Sequence, residues 1–169
     1  MHENILKALA KTSAKYLLAG PAYPGYVDTL KKLDGWNKVE YLGIVGHDRV
    51  YEIYKKASAG VVLLDYTANV GYHKGTLGVL KLFEYMMTGL PVIATDFELW
   101  KEIVEGADCG ICINPNDTDA IANAIEYFVT NPDIAKKKGE NGRKAIEEKF
   151  NWSMQEKALF EVYKHVLST

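Results

Sequence analysis

Short apolar runs alternate along this chain with longer stretches in which apolar residues recur every three or four positions. That alternation is the pattern of a parallel sheet covered by helices on both faces. The runs predict strands at Tyr16–Ala19, Val39–Leu42, Gly60–Leu64, Pro91–Ala94 and Gly110–Ile113. Most are continuously apolar, as strands buried on both faces should be. Gly20-Pro21, Gly43, Asp65, Thr95-Asp96 and Asn114-Pro115 follow them as strand exits.

Helices fill the gaps. Asp48 is expected to cap one whose inner face carries Val50, Ile53, Tyr54 and Ala57. A second runs from Leu77 to Thr88 and stops at Gly89, with Pro91 just beyond. Asp117 or Thr118 caps a third, bearing Ile121, Ala122, Ile125 and Phe128. Asn131 with Pro132 starts a fourth. Ser153 and Glu156 read as a capping box for the last, which bears Val162, Tyr163 and Val166. No linker, repeat or low-complexity stretch divides residues 1–169, which read as a single α/β domain.

Composition narrows the function classes. The chain has 169 residues, 48% of them hydrophobic and 25% charged, close to the averages for soluble domains and long enough to bury a core without staples. A net charge of −2 gives no footprint for a nucleic-acid backbone. The one basic run, Lys136–Lys138, lies among Glu140, Arg143, Glu147 and Glu148 and reads as a solvated helix face. No apolar run approaches the ~20 residues of a transmembrane helix. The amino terminus, with lysines among its apolar residues and no cleavage pattern, does not resemble a signal peptide. A cytoplasmic setting is expected.

Other chemistry is set aside by spacing. Cys109 and Cys112 are the only cysteines, and within a strand positions three apart point to opposite faces, so they are expected to be structural. His2, His47, His73 and His165 lack metal-ligand spacing, so no metal site is expected. Neither Gly-x-Gly-x-x-Gly after a strand, nor the P-loop pattern, nor Gly-x-Ser-x-Gly occurs.

Ligands of open parallel sheets bind beyond the carboxyl ends of the strands. That rule selects the loops 20–25, 43–48, 65–78 and 95–99. The third is the longest; it holds Asn69, Gly71, His73, Lys74, Gly75, Thr76 and Gly78 and leads into the helix expected at Leu77. Such a loop can bind phosphate through backbone N–H groups and the helix dipole, or its glycines can simply permit a surface turn. The helix itself has Leu80, Leu82, Phe83, Met86 and Met87 around most of its circumference, so it is expected to be largely buried. Lys81, Glu84, Tyr85 and Thr88 form one polar stripe. A carboxylate there needs partners. Either it is satisfied internally, or the stripe faces a cleft where Glu84 accepts hydrogen bonds from sugar hydroxyls and Lys81 faces a phosphate. The cleft is the favoured reading.

The stretch KLFEYMMTGLPVIATDFELWKEIVEGADCGICINPNDTDAIANAI resembles the C-terminal donor-binding domain of retaining GT-B glycosyltransferases, the group 1 or family-four transferases. The matching positions are Glu84, Gly89, Pro91-Val92-Ile93-Ala94, Glu102-Ile103-Val104, Gly110 and Asp117. YLGIVGHDRVYEIYKKASAGVVLL and FNWSMQEKALFEVYKHV resemble the family's preceding strand–loop–helix–strand and its terminal Trp-containing helix. The resemblance implies a Rossmann-like parallel sheet with helices on both faces.

For the site, the resemblance implies that Glu84 holds the ribose of a nucleoside-diphosphate sugar. Gly75, Thr76, Leu77 and Gly78 correspond to the backbone beside the diphosphate, and Val45 to His47 to the region beside the base. Thr76 stands where many members have a glutamate that approaches the donor sugar. The substrate is the nucleotide sugar, with no separate cofactor, and no catalytic residue is assigned. For the intact enzyme, the expectation is retaining transfer of a sugar to a hydroxyl acceptor in glycan or polysaccharide assembly. A peripheral place at the inner face of the membrane is compatible with this.

In the family, a Gly-Arg-bearing strand and a loop lysine precede the helix that MHENILKALAKTSAKY resembles, after an acceptor-binding N-terminal domain. The resemblance therefore implies a missing first strand, a fragment of a two-domain enzyme, and an isolated chain that binds nucleotide weakly and is inactive. A natural short protein is the other reading of the start at Met1. Exposed sheet edges invite pairing with another chain, so a dimer, a swap or a rearranged sheet is expected. The competing functions are a GT-B-fold sugar-nucleotide epimerase, a non-catalytic nucleotide-binding or scaffold domain and, more weakly, a receiver-type signalling domain.

Overall fold

The computed structural model describes residues 1–167, apart from the side chain of residue 158. Five strands form where apolar runs were expected: β1 (Tyr16–Ala19), β2 (Val39–Gly43), β3 (Gly60–Val62), β4 (Val92–Thr95) and β5 (Gly110–Ile113). Eight α-helices surround them: α1 (His2–Leu9), α2 (Tyr26–Leu30), α3 (His47–Tyr54), α4 (Leu80–Met87), α5 (Glu98–Val104), α6 (Thr118–Thr130), α7 (Pro132–Glu148) and α8 (Trp152–Leu167). All strand pairs are parallel. None of the helices described is long and apolar enough to cross a membrane.

The strands do not form one sheet, as expected from the sequence, but two. β1 pairs with β2, and β3, β4 and β5 pair in that order. Burial shows the consequence. Every residue of β4, the central strand of the larger sheet, is buried, whereas Tyr16, Leu17, Leu18 and Ala19 of β1 are all half-buried.

Period-two alternation sorts the core into two clusters. Ile93 faces Leu63, Ile121, Ile125 and Phe128 together with Ile5 and Leu9 of α1. Val92 and Ala94 face the other way, towards Leu82 and Met86 of α4, Phe97, and Trp100 and Val104 of α5. Burying each such side chain contributes about 1.5–3 kcal/mol, so β4 is the strand on which both faces depend. At its carboxyl end Thr95, fully buried, substitutes a side chain for ladder backbone. Its Oγ1 donates to Leu64 O at 2.9 Å and accepts from Leu64 N–H at 2.8 Å. The chain leaves the sheet just beyond that clasp.

The caps differ in part from the sequence expectation. Asp117 accepts from the N–H groups of Asp119 and Ala120 at 3.0 and 2.9 Å, as a helix cap should. Asp48, in contrast, lies inside the first turn of α3, whose N-cap is Gly46. The last helix is capped not by Ser153 but by Asn151, which accepts from the N–H of Met154 at 3.1 Å. The carboxyl end of α1 is held by Lys38, whose Nζ donates to Leu9 O at 3.1 Å and to Thr12 O. On α8, Val162, Tyr163 and Val166 are exposed by 59%, 56% and 62%, so these three expected inner-face residues do not enter either core.

Two smaller expectations change. Lys138 is not a solvated charge; it pairs with Asp108 at 2.5 Å and its side chain is only 16% exposed. Cys109 and Cys112 do not point to opposite faces: both pack on the cluster around α4 and α5. Cys109 lies ahead of Gly110, outside β5, so strand alternation does not govern it.

Candidate functional site

The loop between β3 and α4 is pinned to the start of α5 by aromatic side chains. Tyr66 donates to Asp96 Oδ1 at 2.5 Å, stacks on His73 with ring centroids 4.1 Å apart, and meets the edge of Phe97 at 5.8 Å. Phe97 in turn lies edge-on to Trp100 at 4.9 Å. Gly75 presses against Phe97: a Cβ there would lie 2.6 Å from the Phe97 Cβ, and its φ of +81° is one that side-chain-bearing residues rarely adopt. Trp100 Nε1–H, in a fully buried side chain, donates to Thr76 O at 2.7 Å. A buried indole needs such an acceptor.

Above these anchors the chain turns outward. Thr76 Oγ1 accepts from Gly78 N–H at 3.2 Å; Leu77 and Gly78 are exposed. This turn delays the helix expected at Leu77: α4 begins at Leu80, after an extended Val79 that provides no side-chain cap. The helix is also less buried than its composition suggested. Leu82 and Met86 are buried, while Leu80 is 70% and Met87 is 40% exposed, so one face of α4 packs and the rest remains accessible.

Glu84, half-buried in the second turn of α4, accepts from the Tyr54 hydroxyl at 3.0 Å through Oε2. Tyr54 meets Tyr85 edge-on at 5.1 Å. Burial raises the phenol of Tyr54 above its ordinary value and pushes Tyr85 up to about 12, with Glu84 adding to both shifts. Both phenols therefore stay protonated at neutral pH. Lys81 is exposed in the first turn of α4. Its charge helps lower the imidazole pKa of His2, after burial and the amino terminus.

Glu84, Lys81, Gly75, Thr76, Leu77 and Gly78 thus fall on one continuous loop–helix unit. Val45 is half-buried in the loop after β2, and His47 is the exposed first residue of α3. They reach this unit only through α3, whose far end supplies Tyr54 about 10 Å along the axis from His47. Tyr54 and Trp100 were missed as site residues. The sequence places Tyr54 on an apolar inner face, where its hydroxyl gives no signal, and Trp100 is 24 positions from the carbonyl it holds. Among the described residues, no group of three or more His, Cys, Asp or Glu is placed to hold a metal ion.

The pattern of the family described as glycosyl transferases group 1 matches residues 1–145. Over 98% of the chain, the sequence is 27% identical to an uncharacterized glycosyltransferase of Methanocaldococcus jannaschii, covering 42% of that protein. The fold is similar to that of a sucrose-phosphate synthase from Thermosynechococcus elongatus, with a TM-score of 0.79, 23% identity, and coverage of 98% of this chain and 42% of the other. It is also similar to the C-terminal domain of a group 1 glycosyl transferase from Francisella tularensis, with a TM-score of 0.69, 20% identity, and coverage of 89% and 80%. The chain belongs to the group 1 glycosyl transferases and has the Rossmann-like architecture of the GT-B C-terminal domain. It spans about two-fifths of the length of the curated relatives it matches first.

Proposed function

We propose that residues 1–169 form the donor-binding domain of a glycosyltransferase that takes a nucleoside-diphosphate sugar and passes the sugar to a hydroxyl acceptor with retention of configuration. The observation that carries this reading is the pinned loop 65–79. Phe97 and Trp100 hold Gly75 and Thr76 from below, so Leu77 and Gly78 present exposed backbone directly ahead of α4. Glu84 follows one turn further on.

In this reading the diphosphate sits against that backbone and the positive end of α4, with Lys81 as the nearby cation. Its charge is offset there as the sugar departs. Glu84 binds rather than reacts: Tyr54 engages one carboxylate oxygen, and the carboxylate also accepts from ribose hydroxyls. Val45 and His47 flank the base. The nucleotide sugar is the substrate, and no separate cofactor enters. The acceptor side belongs to a second, N-terminal domain of a cytoplasmic protein of the relatives' length, so this chain alone binds weakly and does not turn over.

Titration of UDP, GDP and ADP into the purified chain, followed by NMR, tests the reading. One nucleotide should give saturable shifts at Thr76–Lys81, weakened about tenfold or more in Glu84→Ala, a loss of about 1.4 kcal/mol. Binding that is indifferent to Glu84→Ala would favour a non-catalytic scaffold instead. Shifts confined to residues outside this loop and α4 would overturn the site.

A further inference from the structure

One side chain of the loop 65–79 stands on a backbone conformation that its type avoids. Tyr72 has a φ of +49°, in the left-handed region, where the Cβ of an L-residue crowds the following carbonyl. Glycine and asparagine visit that region; a bulky aromatic residue there is an outlier. Core packing does not offset the strain, because Tyr72 is 61% exposed.

Its neighbours hold it there from both sides. Tyr72 N–H bonds to Thr67 O at 3.0 Å. Gly71, just before it, is wedged against Gly75: a Cβ on Gly71 would lie 2.9 Å from Gly75 O. His73, just after it, is fixed by its stack on Tyr66, whose hydroxyl is tied to Asp96. A strained residue fixed by its surroundings, with its own side chain left in solvent, has the character of a preorganised ligand contact.

The same contacts place it. Tyr72 follows Gly71 as Thr76 follows Gly75, each step being about 3.8 Å between Cα atoms, so Tyr72 stands beside the Gly75–Gly78 backbone. The other side chains there are engaged or lack an aromatic face. Thr76 Oγ1 turns back onto Gly78 N–H, His73 lies on Tyr66, and Leu77 is aliphatic.

Resting on the donor-binding reading above, we propose that Tyr72 is the platform for the donor's sugar, a positioning residue whose ring takes the C–H face of the sugar carried by the diphosphate. The C–H groups on one face of a sugar ring form an apolar surface, which matches the electron-rich face of an aromatic ring. Because the φ of Tyr72 is already set in the folded chain, less ordering is left to binding.

The test separates the sugar from the nucleotide. UDP, GDP, ADP and then UDP-glucose, GDP-mannose and ADP-glucose are titrated into the 169-residue chain and followed by NMR. For the base that binds, the nucleotide sugar should shift the ring protons of Tyr72 and the bare nucleotide should not. Tyr72→Ala should weaken the nucleotide sugar by about threefold or more, the size of one aromatic contact, and leave the nucleotide unchanged. Tyr72→Phe keeps the ring and should bind both as the parent does. Tyr72→Asn suits the left-handed backbone, so it should melt at or above the parent temperature yet lose the same affinity for the nucleotide sugar.

If nucleotide binds but the ring shifts and the variants are indifferent to the sugar, the platform is overturned and the donor site stands. Equal losses for nucleotide and nucleotide sugar would put Tyr72 on the base or phosphates, and a lower melting temperature for Tyr72→Asn would make it a structural residue; either result overturns the proposal. Binding of none of the six would remove the donor reading and the platform with it.

Discussion

The hydroxyl of Tyr54 donates to Glu84 Oε2 at 3.0 Å, fastening the last residue of α3 to the second turn of α4. Tyr54 also lines a groove between the two sheets, bordered by Tyr16 and Leu17 of β1 and by Gly60 and Val61 of β3. One side chain therefore joins the open edge of the fold to the carboxylate on which donor binding is proposed to depend. Replacing it by phenylalanine keeps the ring contact with Tyr85 and removes only the hydrogen bond. Tyr54→Phe is expected to cost about 1 kcal/mol in urea denaturation and to weaken nucleotide binding by about threefold, less than Glu84→Ala. Equal losses from the two variants would mean that Tyr54, not Glu84, is the ligand contact.

Trp100 acts on the loop from beneath. Trp100→Phe removes the Nε1–H bond to Thr76 O and part of a fully buried ring. The expected cost is about 2–3 kcal/mol of stability, read by denaturant melts. Backbone exchange should quicken at Thr76 to Gly78 while β5 is unaffected. Uniform loosening of the whole domain would show that Trp100 is a core residue with no particular hold on the loop.

The positions of most strands were legible because their apolar runs are continuous, β2 with Glu40 being the exception, and the α6 cap was legible because Asp117 immediately precedes a periodic stretch. What escaped depends on contacts remote in sequence. The start of α4 moved from Leu77 to Leu80 because Thr76 turns back on Gly78, a choice that propensity does not encode. Counting apolar residues around α4 overstated its burial, since its exposed face has nothing to pack against. Gly46 and Asn151 took the capping positions assigned to Asp48 and Ser153, a shift of two residues in each case. The split of the sheet could be anticipated only through the family resemblance; no residue in the chain signals an unpaired edge.

His2 should make stability sensitive to mild acid. Its imidazole is held below the usual value by burial first, then by the Met1 amino group and Lys81, against a small opposing effect of Glu3. Tyr16 and Tyr26 complete its surroundings. Because the folded-state pKa is depressed, the stabilisation is fully present above the ordinary histidine value near 6.5. It is lost as the pH falls from there through the folded value. Melting temperatures of the parent chain should therefore drop more between pH 7 and pH 5 than those of His2→Gln. Parallel curves for the two proteins would remove His2 from the account.

The cysteines should be inert while the domain is folded. Burial pushes Cys109 up to about 11 and Cys112 up to about 12, so at pH 8 the thiolate fraction of either is no more than about one in a thousand. Alkylation by iodoacetamide is expected to run about a hundredfold slower in the native chain than in denaturant. Rapid native labelling of Cys112 alone would mean that β5, the outer strand of its sheet, opens locally.

Helix α7 comes close to the end of α4 at two glycines, Gly139 and Gly142. A Cβ at Gly139 would lie 1.8 Å from Gly89 O, and one at Gly142 would lie 3.4 Å from Met86 Cα. Interior helix glycines cost about 0.5–1 kcal/mol each relative to alanine, a cost that close backbone approach explains. At Gly139 backbone is seated on backbone, with no rotamer there to readjust, so the end of α4 is held close to α7. Glu84 therefore rides on a helix whose place is set by α7, while the loop 65–79 ahead of it is set separately, by Phe97 and Trp100.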